Sequence, residues 1–295
     1  MGIVTKLLNP VNWVKAYSFN KKNKKYDRST YDLELHLYSQ MLRNDMLHLG
    51  YFEDVNTTPE SISIDQIEAS QITYANKIIE QIVLCNKPIL DVGCGMGGLA
   101  TKLLEKDLTL EVLTPNKKQI EYINKEHPKL IAHNLKFEDL KSSNTFGTII
   151  NSESLQYIRL DDAFDKIDTL LDSDGRWIVV DFFRLSDNSK DKSGHLLQDF
   201  TKLVSDRGYK IVHEQDITPN VIPMLKYIDM YVTRILLPLQ HYGYEKLRFK
   251  KGWLYFLTKE LRENIDKKIE KERASIQPEM FFKEKKYLLY VLEKN

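Results

Sequence analysis

Apolar residues recur at two spacings along this chain, and the switches between them outline its organisation. Over 31–49 the positions Leu33, Leu35, Leu37, Met41, Leu42, Met46 and Leu47 predict a helix, followed by a Gly-Tyr-Phe-Glu-Asp turn at 50–54 and a break at Thr57-Thr58-Pro59. A second helix is expected over 63–85, burying Ile67, Ile72, Ala75, Ile78, Ile79 and Ile82. After Lys87-Pro88 short continuous apolar runs take over: 89–92 reads as a buried strand, 93–98 as a turn and 99–106 as a helix. Further strands are expected at 108–113, 130–133, 146–151, 177–183 and 209–214, with helices at 116–126, 160–171 and 194–207. That alternation predicts an α/β fold, a mostly parallel sheet with helices on both faces. Beyond Asn220 the strand signal lapses into two helical blocks, one ending at Pro238 and one over 244–274, before a closing strand at 287–292.

At 295 residues, 42% hydrophobic and 29% charged, the whole chain is expected to fold around one full core with an elaboration. A net charge of +1 gives no overall field toward nucleic acid or acidic membrane. The basic run Lys21-Lys22-Asn23-Lys24-Lys25 lacks interleaved aromatics and reads as a solvated loop. Two cysteines, Cys85 and Cys94, match neither a disulfide framework nor a zinc set, and His48, His133, His195, His213 and His241 show no metal-binding spacing, so no metal is expected. With no signal-peptide pattern and no apolar run of membrane-spanning length, the expected location is the cytoplasm. Residues 1–17 place Trp13, Val14 and Tyr17 at helical spacing, which reads either as packing on the domain or as a peripheral membrane contact.

The stretch Asp91-Val92-Gly93-Cys94-Gly95-Met96-Gly97-Gly98 carries the most chemistry. Its glycines turn the backbone between strand and helix and let a ligand approach the helix N-terminus. Gly93-x-Gly95-x-x-Gly98 alone also fits a dinucleotide site. Such a site wants an acid near the end of the second strand, and residues 113–116, Leu-Thr-Pro-Asn, carry none. Asp91 aimed at the turn would repel a pyrophosphate and suits a ligand bearing an ammonium group, as S-adenosylmethionine (SAM) does.

This stretch resembles motif I of class I SAM-dependent methyltransferases. Flanking segments are similar to the branch of sterol and tocopherol C-methyltransferases, small-molecule natural-product methyltransferases and cyclopropane fatty acid synthase-like enzymes, over most of 45–225. His48-Leu49-Gly50-Tyr51-Phe52 resembles an element that closes over the methionine end of SAM, with Phe52 in place of Trp; this implies His48 and Tyr51 as cofactor contacts beside Asp91, Gly93, Cys94 and Gly95. Leu113-Thr114-Pro115-Asn116 with Gln119 resembles a pattern whose hydroxyl and amide groups hold the ribose, and Phe137-Glu138-Asp139 one that frames the adenine. Asn151-Ser152-Glu153-Ser154-Leu155-Gln156-Tyr157 resembles the branch's segment at the end of the fourth strand, which implies Asn151 as a cofactor contact. Gln156-Tyr157 replaces a Glu-His pair, which removes the imidazole base and leaves Glu153 and Tyr157 as the catalytic candidates. For Glu153 a base and a ligand-orienting carboxylate are equal readings.

The resemblance implies a Rossmann-like seven-stranded fold: an N-terminal helical cap (1–75), a SAM-binding domain (76–219), a substrate-covering helical insert (220–280) and the closing strand (281–295). The expected reaction is in-line methyl transfer to a small apolar acceptor, on C, O or N, with cyclopropane-type lipid chemistry or a non-catalytic SAM-binding role as alternatives. In the insert, Met224, Tyr227, Ile228, Met230, Tyr231, Ile235, Trp253, Tyr255 and Phe256 read either as an apolar cavity lining or as the packing face of helices. The Asn/Asp-Pro-Pro-Tyr signature of exocyclic-amine methylation on nucleic acid is absent at 151–154, and no nucleic-acid partner is expected.

Overall fold

A computed structural model describes residues 9–23, 44–83, 86–189 and 191–295. The N-terminal helix α1 (Pro10–Asn23) is followed, after a 3-10 turn at Pro59–Ser61, by α2 (Ile64–Ile79). A capping box starts α2: Ser63 Oγ accepts from Gln66 N, and the Gln66 side chain accepts from Ser63 N. The helix stops short of the expected residue 85. Gln81 and Ile82 bond back by three residues, and the Gln81 carbonyl accepts instead from Arg176 at 2.9 Å. Of the helix expected over 31–49, residues 44–49 are non-helical and 31–43 lie outside the described residues, as does Cys85.

The alternating units then follow: β1 (Ile89–Val92), α3 (Gly98–Leu104), β2 (Leu110–Leu113), α4 (Lys117–Glu126), β3 (Ile131–His133), β4 (Phe146–Ser152), α5 (Leu160–Leu170), β5 (Leu171–Arg184), α6 (Leu197–Asp206) and β6 (Tyr209–Asp216). The insert comprises α7 (Thr218–Tyr231), a π-helical turn Val232–Leu236, α8 (Leu237–Lys250), α9 (Gly252–Leu257), α10 (Lys259–Ile276) and α11 (Pro278–Glu284), and β7 (Lys285–Lys294) closes the chain. Pro238 does not end the first helical block as expected, because the π turn just before it shifts the backbone bonding and accommodates the missing N–H.

The seven strands lie in the order β3-β2-β1-β4-β5-β7-β6. All pairs are parallel except those of β7, which runs antiparallel between β5 and β6. Side chains alternate between two cores: Trp177, Val179, Leu288 and Tyr290 pack with α5 and α6 through Phe164 and Phe200, while Ile178, Val180, Leu289 and Val291 pack with α2, α3, α7 and α11 through Ile78, Leu103, Leu225 and Phe281. Strand order reverses between β1 and β4, so a crevice at their carboxyl ends is where an open α/β sheet takes a ligand. The glycine turn after β1 sits there.

Candidate active site

Asp91 is the third residue of β1, between Val112 of β2 and Ile150 of β4, and only 2% exposed. Burial raises its carboxyl to about 7, and its Oδ2 has no hydrogen-bond partner. The backbone N–H groups of Gly93 and Cys94 are tied to the Leu113 carbonyl at 2.8 and 3.2 Å, which fixes the turn. Gly93 has φ of +79°, and a Cβ there would lie 2.4 Å from Ser154 Cβ. That close approach brings the β4 loop onto the glycine turn, with Ser154 Oγ donating to the Val92 carbonyl at 2.5 Å. Cys94 is buried, and desolvation pushes its thiol up.

Segment 44–52 lies over this turn. A Cβ on Gly98 would meet Met46 Cγ at 2.6 Å and the Asp45 carbonyl oxygen at 2.8 Å. The segment is pinned from three sides: Gln71 Nε2 donates to the Met46 and His48 carbonyls at 2.9 and 3.0 Å, the Tyr122 hydroxyl donates to Asp45 at 2.9 Å, and Leu49 N–H donates to Glu153 Oε1 at 3.1 Å. His48 stacks on Tyr74 with centroids 3.9 Å apart. Burial lowers its pKa to about 3, so the ring is neutral. Its Nδ1 accepts from Gly50 N at 3.3 Å, which assigns the proton to Nε2, a buried donor with no partner. Tyr51 N–H donates to the Ser70 carbonyl, and Phe52 exchanges two 2.9 Å bonds with Asn220, joining this segment to the base of the insert.

At the end of β2, Thr114, Asn116 and Gln119 are buried together. Thr114 Oγ1 donates to Gln119 Oε1 at 2.6 Å and accepts from Asn116 N at 3.2 Å, while Asn116 Oδ1 caps α4 by accepting from Lys118 N and Gln119 N. Phe137 is packed in the core under β4, and Glu138 is partly accessible on the same 3-10 turn (Phe137–Asp139). Asn151 is turned into the interior: its amide donates to Ser154 Oγ at 3.0 Å and accepts from Trp177 Nε1 at 2.9 Å. Its visible role is to hold the β4 loop.

Glu153 follows β4 with φ of +50°, a left-handed conformation uncommon for a residue with a side chain. The Tyr287 hydroxyl donates to its Oε1, beside the Leu49 N–H. Desolvation raises the Glu153 pKa, partly offset by these two bonds. Tyr287 OH lies 3.3 Å from Tyr74 OH, which is 3.0 Å from Ser152 Oγ. Asp181 on β5 is also buried and pushed up to about 8, although it accepts from Gln156 N and its neighbour Phe182 N. Tyr157, by contrast, is 80% exposed on the 3-10 turn Leu155–Tyr157. The residues sequence reasoning missed are Tyr74, Tyr287, Asp181, Gln71 and Ser154. Tyr74 and Tyr287 sit within a helix and a strand whose spacing marks them only as core.

Described residues thus offer a carboxylate without a partner at a glycine turn, a neutral imidazole N–H, and a protonatable carboxyl bound to one phenol, Tyr287, which a second, Tyr74, adjoins. Among them no group of three His, Cys, Asp or Glu is placed to hold a metal ion.

Residues 90–179 match the family model described as a methyltransferase domain. Over 173 residues the chain is 30% identical to the sterol 4-C-methyltransferase strm-1 of Caenorhabditis elegans. The match takes in 54% of this chain and spans half the length of that relative. Among solved structures it is similar to a mycolic acid cyclopropane synthase complexed with S-adenosylhomocysteine, at 15% identity and a TM-score of 0.63, covering 90% of this chain and 96% of that one. It is also similar to geranyl diphosphate C-methyltransferase from Streptomyces coelicolor A3(2), at 14% identity and a TM-score of 0.62, covering 92% and 95%.

Proposed function

We propose that this chain, which carries a methyltransferase domain in the class I fold, transfers the methyl group of SAM to a small apolar acceptor. The observation that carries this reading is the partnerless Asp91 carboxylate buried at the glycine turn of the topological switch point. A buried carboxyl held near neutrality is ready to ionise against a ligand cation, and the amino-acid end of SAM bears one. The residues fit SAM in other respects. Segment 44–52 with His48 and Tyr51 covers the methionine end, Gly93, Cys94 and Gly95 form the turn beside Asp91, and Thr114, Asn116 and Gln119 form the polar patch for the ribose. Phe137 and Glu138 would border the adenine and Asn151 braces the loop behind it. Residues 1–75 are the cap, 76–219 the cofactor domain, 220–280 the acceptor-covering insert and 281–295 the closing strand.

SAM when bound supplies an electrophilic methyl carbon on a sulfonium. The work of the protein is then to hold the acceptor in line, exclude water and manage a proton. The cap and the insert are joined through Phe52 and Asn220, which supports their closing over the crevice together. Glu153 is the candidate base: burial raises its pKa, which strengthens it as a proton acceptor, and the phenols of Tyr287 and Tyr74 offer a path away from it. Tyr157, exposed on the turn after β4, is a second polar group for the acceptor.

The apolar acceptor draws support from the cluster of Phe52, Ile62 and Ile67 with Met224 and Tyr227 of α7, where cap meets insert. The described part of 1–17 presents Val11, Trp13, Val14 and Tyr17 outward, which supports a peripheral membrane contact for an otherwise cytoplasmic protein, and no described helix is long and apolar enough to cross a membrane. The test is incubation with SAM carrying a carbon-labelled methyl group and a panel of prenyl, sterol, acyl and polyketide acceptors, read by mass spectrometry for the gain of one labelled carbon. Label transfer lost in Glu153→Gln supports the reading. An acyl chain gaining a ring instead of a methyl branch identifies cyclopropane-type chemistry, and no transfer from a protein that binds SAM would favour a non-catalytic role.

A further inference from the structure

The far end of the insert turns apolar side chains to water in a regular pattern. Through the π turn and α8, Ile235, Leu239, Tyr242 and Phe249 fall at spacings of four, three and seven, one helical stripe, and all are exposed. The chain then turns a corner at Lys250-Lys251-Gly252, and α9 continues with Phe256 and Leu257. Exposure is 76% at Phe249, 78% at Phe256 and 67% at Leu257. Inward positions are satisfied separately: Arg262 lies over the Tyr255 ring at 3.5 Å and bonds its carbonyl.

Along the sequence of α8 and α9 charge is one-sided. Between residues 237 and 258 the sequence has four basic residues, Lys246, Arg248, Lys250 and Lys251, against one carboxylate, Glu245, which is bonded to Arg248 at 3.2 Å. Lys246 and Arg248 lie along the Tyr242 and Phe249 rings, at 5.4 and 5.1 Å. Cations riding on aromatic rings beside exposed aliphatics make an interfacial anchor, with rings at headgroup depth and basic groups on lipid phosphates. A second copy would bring four like charges against each other.

We infer that the corner of the insert formed by α8 and α9 docks on an anionic lipid bilayer surface, inserting Phe249, Phe256 and Leu257 and pairing its basic rim with lipid headgroups. It is built from residues other than 1–17. Docking here does not depend on methyl transfer; that it would set the acceptor cover against the phase holding an apolar acceptor rests on the proposed function.

The test is co-sedimentation of the full chain with vesicles of phosphatidylcholine and phosphatidylserine at 70:30, and of phosphatidylcholine alone, with SAM binding measured in parallel. Wild type is expected to prefer the anionic vesicles and to release in high salt. Phe249→Ser with Phe256→Ser and Leu257→Ser, and separately Lys250→Glu with Lys251→Glu, are each expected to weaken binding at least about tenfold, with SAM affinity and Tm unchanged because these side chains are exposed. No vesicle binding, binding lost in Trp13→Ser with Tyr17→Ser but kept in both insert variants, or a dimer that the Phe249 variant dissociates, would each overturn the inference. Failure of wild type to bind SAM would count against the methyl-transfer reading and leave the docking result to stand or fall by itself.

Discussion

Asp91→Asn separates two effects that the buried carboxylate combines. The folded acid titrates near 7 against an ordinary value of 3.8. For an acid raised on folding, the associated stability is fully present below its unfolded value and is lost as pH rises to the folded one. The ligand-free protein therefore gives up ~4 kcal/mol between about pH 4 and pH 7 through this one group, an upper figure that a neutral Asn does not lose. A cation at Asp91 holds the carboxylate ionised, so binding at pH 6 should release about 0.9 proton, and affinity should improve about fiftyfold from pH 5 to pH 7. Above about pH 8 the α-amino group of the ligand itself deprotonates and affinity should fall again. Calorimetric titration with SAM in two buffers of different ionisation enthalpy reads the proton directly. Asp91→Asn should bind about 10–100-fold more weakly at pH 7.5, release no proton, and melt higher than wild type without ligand. A flat pH profile in wild type, or proton release that survives in Asp91→Asn, would refute the assignment and move the cation to Glu153 or Asp181.

Three further outcomes follow from the same geometry. Glu153→Gln should lower kcat about 100-fold or more with SAM affinity little changed, measured by single-turnover label transfer; an unchanged kcat would leave Glu153 an orienting group. Tyr287→Phe removes a bond that lowers the Glu153 pKa, so the rising limb of the pH–rate profile should move to higher pH; a limb that stays in place would detach Tyr287 from the reaction. Gly93→Ala combines a φ of +79° with a 2.4 Å approach to Ser154 Cβ and should lower Tm by about 3–8 °C; full stability in calorimetry would mean the β4 loop yields freely.

The middle of the sheet was legible in the sequence because β1, β4 and the central part of β5 are buried on both faces and read as short apolar runs, Trp177-Ile178-Val179-Val180 being the clearest. The position of β7 was not, since a closing strand at 287–292 carries no mark of whether it pairs at the edge or between β5 and β6. Helix ends failed where tertiary bonds decided them, as at Gln81, whose carbonyl goes to Arg176. Within the site, Asp91 and the glycines stand out by chemistry and spacing. Asn151 looked like a ligand contact from its place at a strand end, but its amide is engaged by Trp177 and Ser154, which only the fold brings near it. Tyr287 reaches Glu153 across 134 residues of chain, a distance that no local pattern spans.

The central claim is that the site at Asp91 and the glycine turn takes SAM and not a dinucleotide. Calorimetric titration of the purified chain with SAM and, separately, with NAD tests it most directly. Micromolar SAM binding, lost in Asp91→Ala and Gly95→Asp, with no heat from millimolar NAD, is the predicted result. A folded wild-type protein that binds NAD, or that leaves SAM unbound, would contradict it.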